Sequence, residues 1–285
     1  MENYKKKITA IIVLYNVTEI IFRCLENLKG LNIIIADNGD NDSKIISRIK
    51  ENKNITKYFK FKKNIGFGRA CNFCFKYVKT EFTLLIEPDV LIKNEDIISL
   101  ANGFLKYPDA GVLVPTLINK ENKIIDNLQN LPEQYNLQSP NLIDHYFHGD
   151  TCINFCWAAI LLLNNNIIRK VGLFNKKLFI FWEDFYLCRN LKKAKIQIIK
   201  IYNSKAFHIE NASSNKTIKF KFITYKHHIL SSYIYFNVDK KSFYLKKKIM
   251  IYSFRTISYF LIFNFEKSLK NFSRLCAVLT YLNQK

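Results

Sequence analysis

The distribution of apolar positions predicts alternating strands and helices over roughly the first 215 residues of the chain. Residues 8–15, 32–36 and 82–90 contain short apolar runs rich in β-branched side chains, the pattern of strands covered on both faces. Between these runs, apolar residues recur at helical spacing, as in residues 19–28 and 95–105. The order strand, helix, strand is that of βαβ units with parallel strands. The sequence therefore predicts an α/β domain over residues 1–215, with a doubly wound, mostly parallel sheet flanked by helices.

The composition changes after this predicted domain. Residues 216–285 are rich in Phe, Tyr and Ile and contain 14 Lys and Arg against two acids, which is +12 of the total net charge of +21. The longest apolar run, residues 249–265, is interrupted by Arg255, so a membrane span of about 20 apolar residues is not expected. We predict a helical, basic and aromatic extension that associates with the cytoplasmic face of an anionic inner membrane. The alternative is a group of helices that only packs against other parts of the protein.

Charge and cysteine content restrict the partners and the compartment. A net charge of +21 favours an anionic partner: nucleic acid, an acidic membrane surface or a substrate that carries phosphate. No recognised nucleic-acid-binding motif accompanies the charge, so we expect no nucleic acid partner. The seven cysteines have no regular spacing, which is not typical of a disulfide framework and favours a reducing, cytoplasmic environment.

Two acids end the apolar run at residues 82–90, in the sequence Glu87-Pro88-Asp89. Pro88 cannot donate a hydrogen bond to a neighbouring strand, so the strand should stop pairing there. Carboxylates at the end of a strand suit a hard divalent cation, which prefers oxygen ligands. The alternative is a turn that ends the strand and leaves both carboxylates solvated.

Further candidate site residues follow other predicted strands, and residues placed in this way meet along one edge of an open α/β sheet, where ligands bind. They are Asp37, Gly66 with Asn72, Glu183, Asp184 and His208. Each also has a structural explanation: a tight turn, a glycine connector, acids that complement a helix dipole, and a packed histidine. Their order along the chain is what indicates a shared binding site.

Taken in order, these motifs resemble the family-two glycosyltransferases with the GT-A fold, a Rossmann-like fold, and particularly the bacterial rhamnosyltransferase-like branch. The resemblance covers about residues 8–214, and the matching stretches are residues 11–16, 34–39, 64–72, 85–90, 171–174 and 183–189. It implies a metal-assisted, inverting transfer of a sugar from a nucleotide-diphosphate donor, with rhamnose as the suggested sugar. The implied acceptor is a hydroxyl of a growing cell-surface glycan or of a lipid-linked precursor.

The resemblance also implies roles for individual residues. Asp89 would bind Mn²⁺ or Mg²⁺, with His208 as a further contact to the metal or a phosphate. Asp184, with Glu183 beside it, would be the general base. The residues that would bind the nucleotide-sugar are Tyr15, Asn16, Asp37, Asn38, Gly66, Phe67, Asn72, Glu87 and Trp157.

Three positions depart from the pattern of this family. Glu87 stands where Asn or Asp is usual, Asn175 where Asp is common, and Tyr186 where a further acid often follows Asp184. These departures allow an alternative function, that of a catalytically weakened relative that binds nucleotide-sugar or glycan as a subunit. Because Asp184 itself is present, we expect an active enzyme. Residues 119–150 are polar without periodicity and are predicted to form a long loop or lid near the site.

Overall fold

The computed structural model describes residues 2–125, 131–132, 149–209 and 217–284, so most of the predicted loop or lid at residues 119–150 lies outside the described residues. The chain divides into two compact units. We call Met1–Asn175 with Glu183–Ser214 the α/β unit, and Lys176–Trp182 with Asn215–Lys285 the helical unit.

The α/β unit contains a mixed sheet with helices on both faces. Its strands are β1 (Ile8–Leu14), β2 (Asn32–Asp37), β3 (Ile55–Lys60), β4 (Phe82–Ile86), β5 (Val90–Ile92), β6 (Ala110–Ile118), β7 (Thr151–Ile153), β8 (Ile160–Asn164) and β9 (Gln197–His208). Its helices are α1 (Glu2–Lys5), α2 (Ile20–Asn27), α3 (Ser43–Lys50), α4 (Phe67–Phe75), α5 (Asn94–Lys106), α6 (Asn165–Val171) and α7 (Glu183–Lys193).

The strand order of the sheet is β3-β2-β1-β4-β8-β6-β9-β5, with β7 paired to β9. The predicted parallel pairing is present from β3 through β2 and β1 to β4, and again between β6 and β9. β8 runs antiparallel between β4 and β6, and β5 and β7 are antiparallel to β9. Because β8 is antiparallel to both β4 and β6, β6 runs in the same direction as β4, and β9 is parallel to β6. The strands β1, β2, β4 and β9 therefore all end at the same edge of the sheet.

The burial pattern explains the sheet, because successive residues of its central strands belong to different hydrophobic layers. In β1, Ile12 and Leu14 pack in one buried layer and Ile11 and Val13 in the other. α2, α3 and α5 cover the first layer, and α4, α6 and α7 cover the second. The predicted α/β architecture, with strands buried on both faces, is confirmed.

The helical unit consists of long helices with a small core of its own. They are α8 (Ile218–Phe236), α9 (Phe243–Leu261) and α10 (Phe265–Asn283). Leu230, Leu245, Ala277 and Val278 are buried together between these helices. Among the described residues, no helix combines the length and the hydropathy that crossing a membrane requires.

Candidate active site

The turn between β4 and β5 carries the first acids of the site. β4 ends at Ile86, and Pro88 separates it from β5, as the sequence predicts. β5 then pairs antiparallel with the end of β9, in a register that sets Val90 opposite His208. The backbone N–H of Ile209 donates to the carbonyl of Asp89 at 2.9 Å. This pairing brings Asp89 beside a histidine 119 positions later in the chain.

Glu87, Asp89 and His208 form a cluster in which one ligand atom of each lies within 4.8 Å of the others. Nε2 of His208 is 3.6 Å from a carboxylate oxygen of Glu87 and 3.8 Å from one of Asp89. These separations exceed those of direct hydrogen bonds. Nδ1 of His208 is buried and has no hydrogen-bond partner among the described residues.

The electrostatics of this cluster favour a cation. Burial, together with the negative charges of Asp89 and Asp184, raises the pKa of Glu87 to about 7. Burial also raises the pKa of Asp89, while the neighbouring His208 opposes that shift. Two carboxylates held together away from water are unfavourable as anions unless positive charge is supplied. Two oxygen donors and an imidazole nitrogen therefore fit a divalent ion such as Mn²⁺ or Mg²⁺.

A second acidic pair, Glu183 and Asp184, begins α7. Glu183 is buried, and one of its carboxylate oxygens has no hydrogen-bond partner among the described residues. Desolvation raises the pKa of Glu183 to about 8 and that of Asp184 to about 6. Glu87 is influenced by the charge of Asp184, and Glu183 by that of Glu87. The two pairs of acids thus lie close enough to interact, as expected for a single site.

The backbone just before α7 is strained. Phe181 and Trp182 have φ angles of 67° and 68°, the left-handed region that bulky side chains rarely adopt. The indole N–H of Trp182 donates to the carbonyl of His228 at 3.1 Å, within the helical unit. Such strain often occurs at functional sites, where the surrounding structure maintains it. Sequence reasoning did not identify this pair.

Tyr186, which stands where the family often has a further acid, packs against another residue of the same helix. The guanidinium of Arg189 lies over the Tyr186 ring, 5.0 Å from its centroid, and both residues belong to α7. Glu87, which stands where Asn or Asp is usual, has a longer side chain than either. Its carboxylate still contributes an oxygen donor to the cluster with Asp89 and His208.

Asp37 lies at the end of β2 and is fully buried. The Asn41 side chain donates to one of its carboxylate oxygens at 2.6 Å, and the Tyr58 hydroxyl donates to the other at 2.6 Å. Lys60 approaches the same carboxylate at 3.6 Å. A nucleotide would have to displace one of these groups to contact Asp37. The predicted contact between Asp37 and the nucleotide therefore stays a prediction, without support from this geometry.

Asn41 is a residue that sequence reasoning missed. Besides Asp37, it contacts the end of β1: its side chain donates to the Leu14 carbonyl at 3.4 Å and accepts from the Val17 N–H at 2.9 Å. Asn41 therefore joins the loops that follow β1 and β2. The only available signal was an amide four positions after Asp37 in a polar stretch.

The loop before α4 is held by Asn38, which is also buried. The Asn38 side chain donates to Asn64 at 3.1 Å and accepts from the Ile65 N–H at 2.9 Å. Gly66 caps α4 with φ 92° and ψ 153°, a conformation that glycine alone adopts readily. Asn38 thus supports the glycine loop rather than extending toward a ligand.

Asn72 and the start of α4 pack against Phe174. The Asn72 side chain donates to the Phe174 carbonyl at 2.8 Å and accepts from the Phe174 N–H at 3.0 Å. A Cβ on Gly68 would lie 2.9 Å from the Phe174 side chain, and the ring centroids of Phe67 and Phe174 are 5.8 Å apart. The predicted nucleotide contact of Asn72 has no support here, because its amide is already used in packing.

The remaining predicted contacts lie at the same edge or near it. Tyr15 is half-exposed after β1 and packs against Gly39, where an added Cβ would meet its ring at 2.5 Å. Asn16 follows with a positive φ of 49°. Trp157 precedes β8 and packs against both hydrophobic layers. Their roles toward a nucleotide-sugar stay predictions.

Sequence comparison relates the chain to known proteins. The family described as Glycosyl transferase family 2 matches residues 9–161, more than half of the chain. Among curated proteins, the rhamnosyltransferase WbbL of Escherichia coli (strain K12) is 22% identical over 249 residues, which is 79% of this chain and 90% of that protein.

Solved structures show the same fold at low sequence identity. GalNAc-T7, solved with UDP, GalNAc and Mn²⁺, has a TM-score of 0.58 at 14% identity, over 75% of this chain and 46% of its own length. Staphylococcus aureus TarS 1–349 with UDP-GlcNAc has a TM-score of 0.56 at 12% identity, covering 96% of this chain and 91% of that one. The mannosyltransferase PcManGT of Pyrobaculum calidifontis, in complex with GDP-Man and Mn²⁺, has a TM-score of 0.54 at 12% identity, covering 98% and 75%. The chain thus spans about half the length of GalNAc-T7.

Proposed function

The chain belongs to glycosyl transferase family 2 and is a glycosyltransferase, and on this basis we propose that it transfers a sugar from a nucleotide-diphosphate donor to a hydroxyl group with inversion at the anomeric carbon. The observation that carries the proposal is the cluster of Glu87, Asp89 and His208 beside the acid pair of α7. The cluster could bind a cation that stabilises the leaving diphosphate of the donor. The acid pair of α7 could accept a proton from the hydroxyl of the acceptor.

Glu87, Asp89 and His208 would hold the divalent cation. When bound, such an ion supplies positive charge that stabilises a departing diphosphate. Glu87 and Asp89 lie in the turn between β4 and β5, and His208 ends β9. Because β5 pairs with β9, the cluster is held in place without the ion. The partial burial of the cluster also strengthens its interaction with charge.

Asp184 would be the general base. With a pKa raised to about 6, its carboxylate is mostly ionised near neutral pH yet basic enough to accept a proton from an attacking hydroxyl. The Phe185 N–H donates to one oxygen of Asp184 at 2.8 Å, which orients the carboxylate. Attack by the hydroxyl on the face opposite the leaving diphosphate, in one displacement, gives inversion.

The donor, acceptor and location are part of the proposal. UDP-GlcNAc and GDP-Man in the neighbouring structures support a nucleotide-sugar donor, and the likeness to a rhamnosyltransferase supports rhamnose as the sugar. We propose a cell-surface glycan or a lipid-linked precursor as the acceptor. The basic, aromatic composition of residues 216–285 supports work at the cytoplasmic face of an anionic inner membrane.

A screen of donor hydrolysis tests the reaction class. The full chain is incubated with a panel of nucleotide-sugars, including dTDP-rhamnose, with Mn²⁺, Mg²⁺ or EDTA, and release of the nucleotide diphosphate is measured. We expect metal-dependent release from one donor class. Tight nucleotide binding by calorimetry without turnover of any donor would instead indicate a binding subunit.

Asp184→Asn tests the assigned base. The substitution keeps the size of the side chain but removes its ability to accept a proton, so transfer should fall by about two to four orders of magnitude. Nucleotide affinity with Mn²⁺, measured by calorimetry, should stay close to that of the parent. Transfer at the parental rate would show that Asp184 is not the base.

A further inference from the structure

α9 has one side packed in the helical unit and the other side exposed although it is apolar. Leu245 and Tyr252 are buried in the core between the helices. The exposed residues recur at helical spacing along the opposite side, and we call them the outer stripe. They are Met250, Phe254, Ile257 and Leu261, each at least 61% exposed. Contiguous apolar surface of this kind usually marks a binding surface.

The turn between α9 and α10 extends the outer stripe with aromatic side chains. Phe260, Phe263 and Phe265, the aromatic corner, are 58–80% exposed. The ring of Phe265 lies 5.7 Å from that of Phe260 and 6.2 Å from that of Phe263, so the three side chains form one patch. Ile262, in the same turn, is 67% exposed.

Phe263 occupies an unfavourable backbone conformation at the tip of this turn. Its φ is 57°, the left-handed region where helices usually end in Gly or Asn. The Asn264 N–H donates to the Tyr259 carbonyl at 2.8 Å and closes the turn. The turn therefore places a large apolar side chain, 80% exposed, where a small residue would be less strained. The Phe263 side chain is not buried in a core, so packing within the protein does not explain a phenylalanine at this strained position. Its place at the tip of the turn indicates contact with an external apolar surface.

Basic side chains border the patch. Lys246 and Lys247 are exposed one turn before Met250, Arg255 is exposed next to Phe254, and Lys267 is exposed at the start of α10. The acid in this region, Glu266, is paired with Lys221 at 2.9 Å. The surface thus combines apolar residues with an excess of positive charge.

We propose that the outer stripe and the aromatic corner dock on an anionic phospholipid bilayer, with α9 lying in the interface and the corner inserted among the acyl chains. The inference rests on the membrane association proposed above and assigns the surface that makes it. Apolar side chains with a basic border match the acyl region and the anionic headgroups of such a bilayer. A second copy of this chain is a poorer partner, because both faces would carry the same positive charge.

Vesicle binding by the full chain tests the proposal. Flotation is measured with phosphatidylcholine vesicles, with and without about 30% phosphatidylglycerol. The variants are Phe254→Gln, on the outer stripe, and Phe263→Asn, which suits the left-handed turn and so should not disturb folding. Leu105→Gln, at an apolar residue of α5 that is 73% exposed, is the matched control.

We expect the parent to bind the anionic vesicles, and each variant to bind several-fold less, with at least a tenfold loss for the double variant and none for the control. Parental binding by the double variant would overturn the proposal. So would a parental dimer, detected by light scattering, that the double variant disrupts without any vesicle binding. Donor hydrolysis measured without vesicles separates the two proposals. If the parent hydrolyses the donor but does not bind vesicles, only the membrane-docking proposal is wrong. If it binds vesicles but hydrolyses no donor, only the proposed reaction is wrong.

Discussion

At the scale of single residues, the candidate site consists of buried acids whose ionised forms are unfavourable without a positively charged partner. The pKa values of Glu87, Asp89, Glu183 and Asp184 are all raised by burial. Raised values of this kind occur in functional sites, and here they coincide with a histidine whose ring nitrogen faces two of the carboxylates. Substitutions of Asp89 and Glu183 test the cation cluster and the acid pair of α7 separately.

Asp89→Asn should weaken cation binding and metal-dependent nucleotide binding by about tenfold or more, because it removes a charged oxygen ligand. Calorimetry with Mn²⁺, with and without the nucleotide diphosphate, measures both affinities. Thermal stability in EDTA should not fall, since the substitution also removes repulsion between Asp89 and Glu87.

Asp109→Asn, at an exposed acid between α5 and β6, is the control for the loss of one negative charge. It should leave Mn²⁺ affinity unchanged. If Asp89→Asn binds Mn²⁺ as tightly as the parent, Asp89 does not belong to the metal site.

Glu183 makes stability depend on pH. Its pKa in the folded protein is about 8, above the ordinary value of 4.5, so the folded state holds the proton more tightly than the unfolded state. The stability from this preference is complete below the ordinary value and is lost as the pH rises toward 8. Glu183→Gln cannot ionise, so it should be more stable than the parent at about pH 9, by a few kcal/mol at roughly 1.4 kcal/mol per pKa unit, and nearly equal at about pH 4.

Urea unfolding in EDTA at the two pH values measures this difference. Glu95→Gln is the matched control, because Glu95 also lies in the first turn of a helix but is exposed. It should change stability little at either pH. An equal effect of Glu183→Gln at both pH values would mean that Glu183 is not protonated in the folded state.

At the scale of elements, the strands and helices of the α/β unit were predictable, and the antiparallel part of the sheet was not. Apolar runs and helical spacing report burial of each segment, so β1, β2 and α5 lie within a few residues of their predicted positions. The pairing of β5 with β9, which sets Val90 opposite His208, depends on contacts between distant segments that no local pattern encodes. The sequence predicted a histidine near the acids only through the order of the motifs.

The polar side chains of the site illustrate the same limit. A motif indicates that Asn38 and Asn72 belong to the region, but not whether their amides contact a ligand or the chain itself. In the structure both amides bind the chain: Asn38 supports the loop at Gly66, and Asn72 bonds to Phe174. Sequence patterns therefore indicated which segments lie near one another, but not which groups their side chains bind.

The glycine loop before α4 gives a prediction at this scale. Gly66→Ala places a side chain at φ 92°, which should lower stability by about 1–3 kcal/mol. If the loop contacts the donor, nucleotide affinity should also fall. Gly30→Ala is the matched control: its φ is 90°, it precedes β2 at the opposite edge of the sheet, and its Cβ would meet only the flexible Lys5 side chain.

Urea unfolding and calorimetry with nucleotide and Mn²⁺ measure the two effects separately. Both variants should lose stability, and Gly66→Ala alone should lose affinity. Equal affinities for the two variants would mean that the loop only connects β3 and α4.

At the scale of the whole molecule, positive charge is distributed over both parts of the chain. Residues 1–215 contain 30 Lys and Arg against 21 acids, a net charge of +9, and residues 216–285 add +12. The acids of the site therefore lie in a protein whose overall field attracts anions. The proposed nucleotide-diphosphate donor and the proposed anionic membrane would both be attracted by this field.

This field predicts how donor use depends on salt. Attraction between separated charges is screened over about 10 Å at 0.1 M salt and over shorter distances at higher salt. Raising NaCl from about 0.05 to about 0.5 M should therefore raise the KM for the donor several-fold while kcat changes little. The assay omits vesicles, so that membrane docking does not contribute, and glucose at equal osmolality is the control. A KM that is independent of salt would mean that donor binding depends on the local cluster of Glu87, Asp89 and His208 and not on the charge of the molecule.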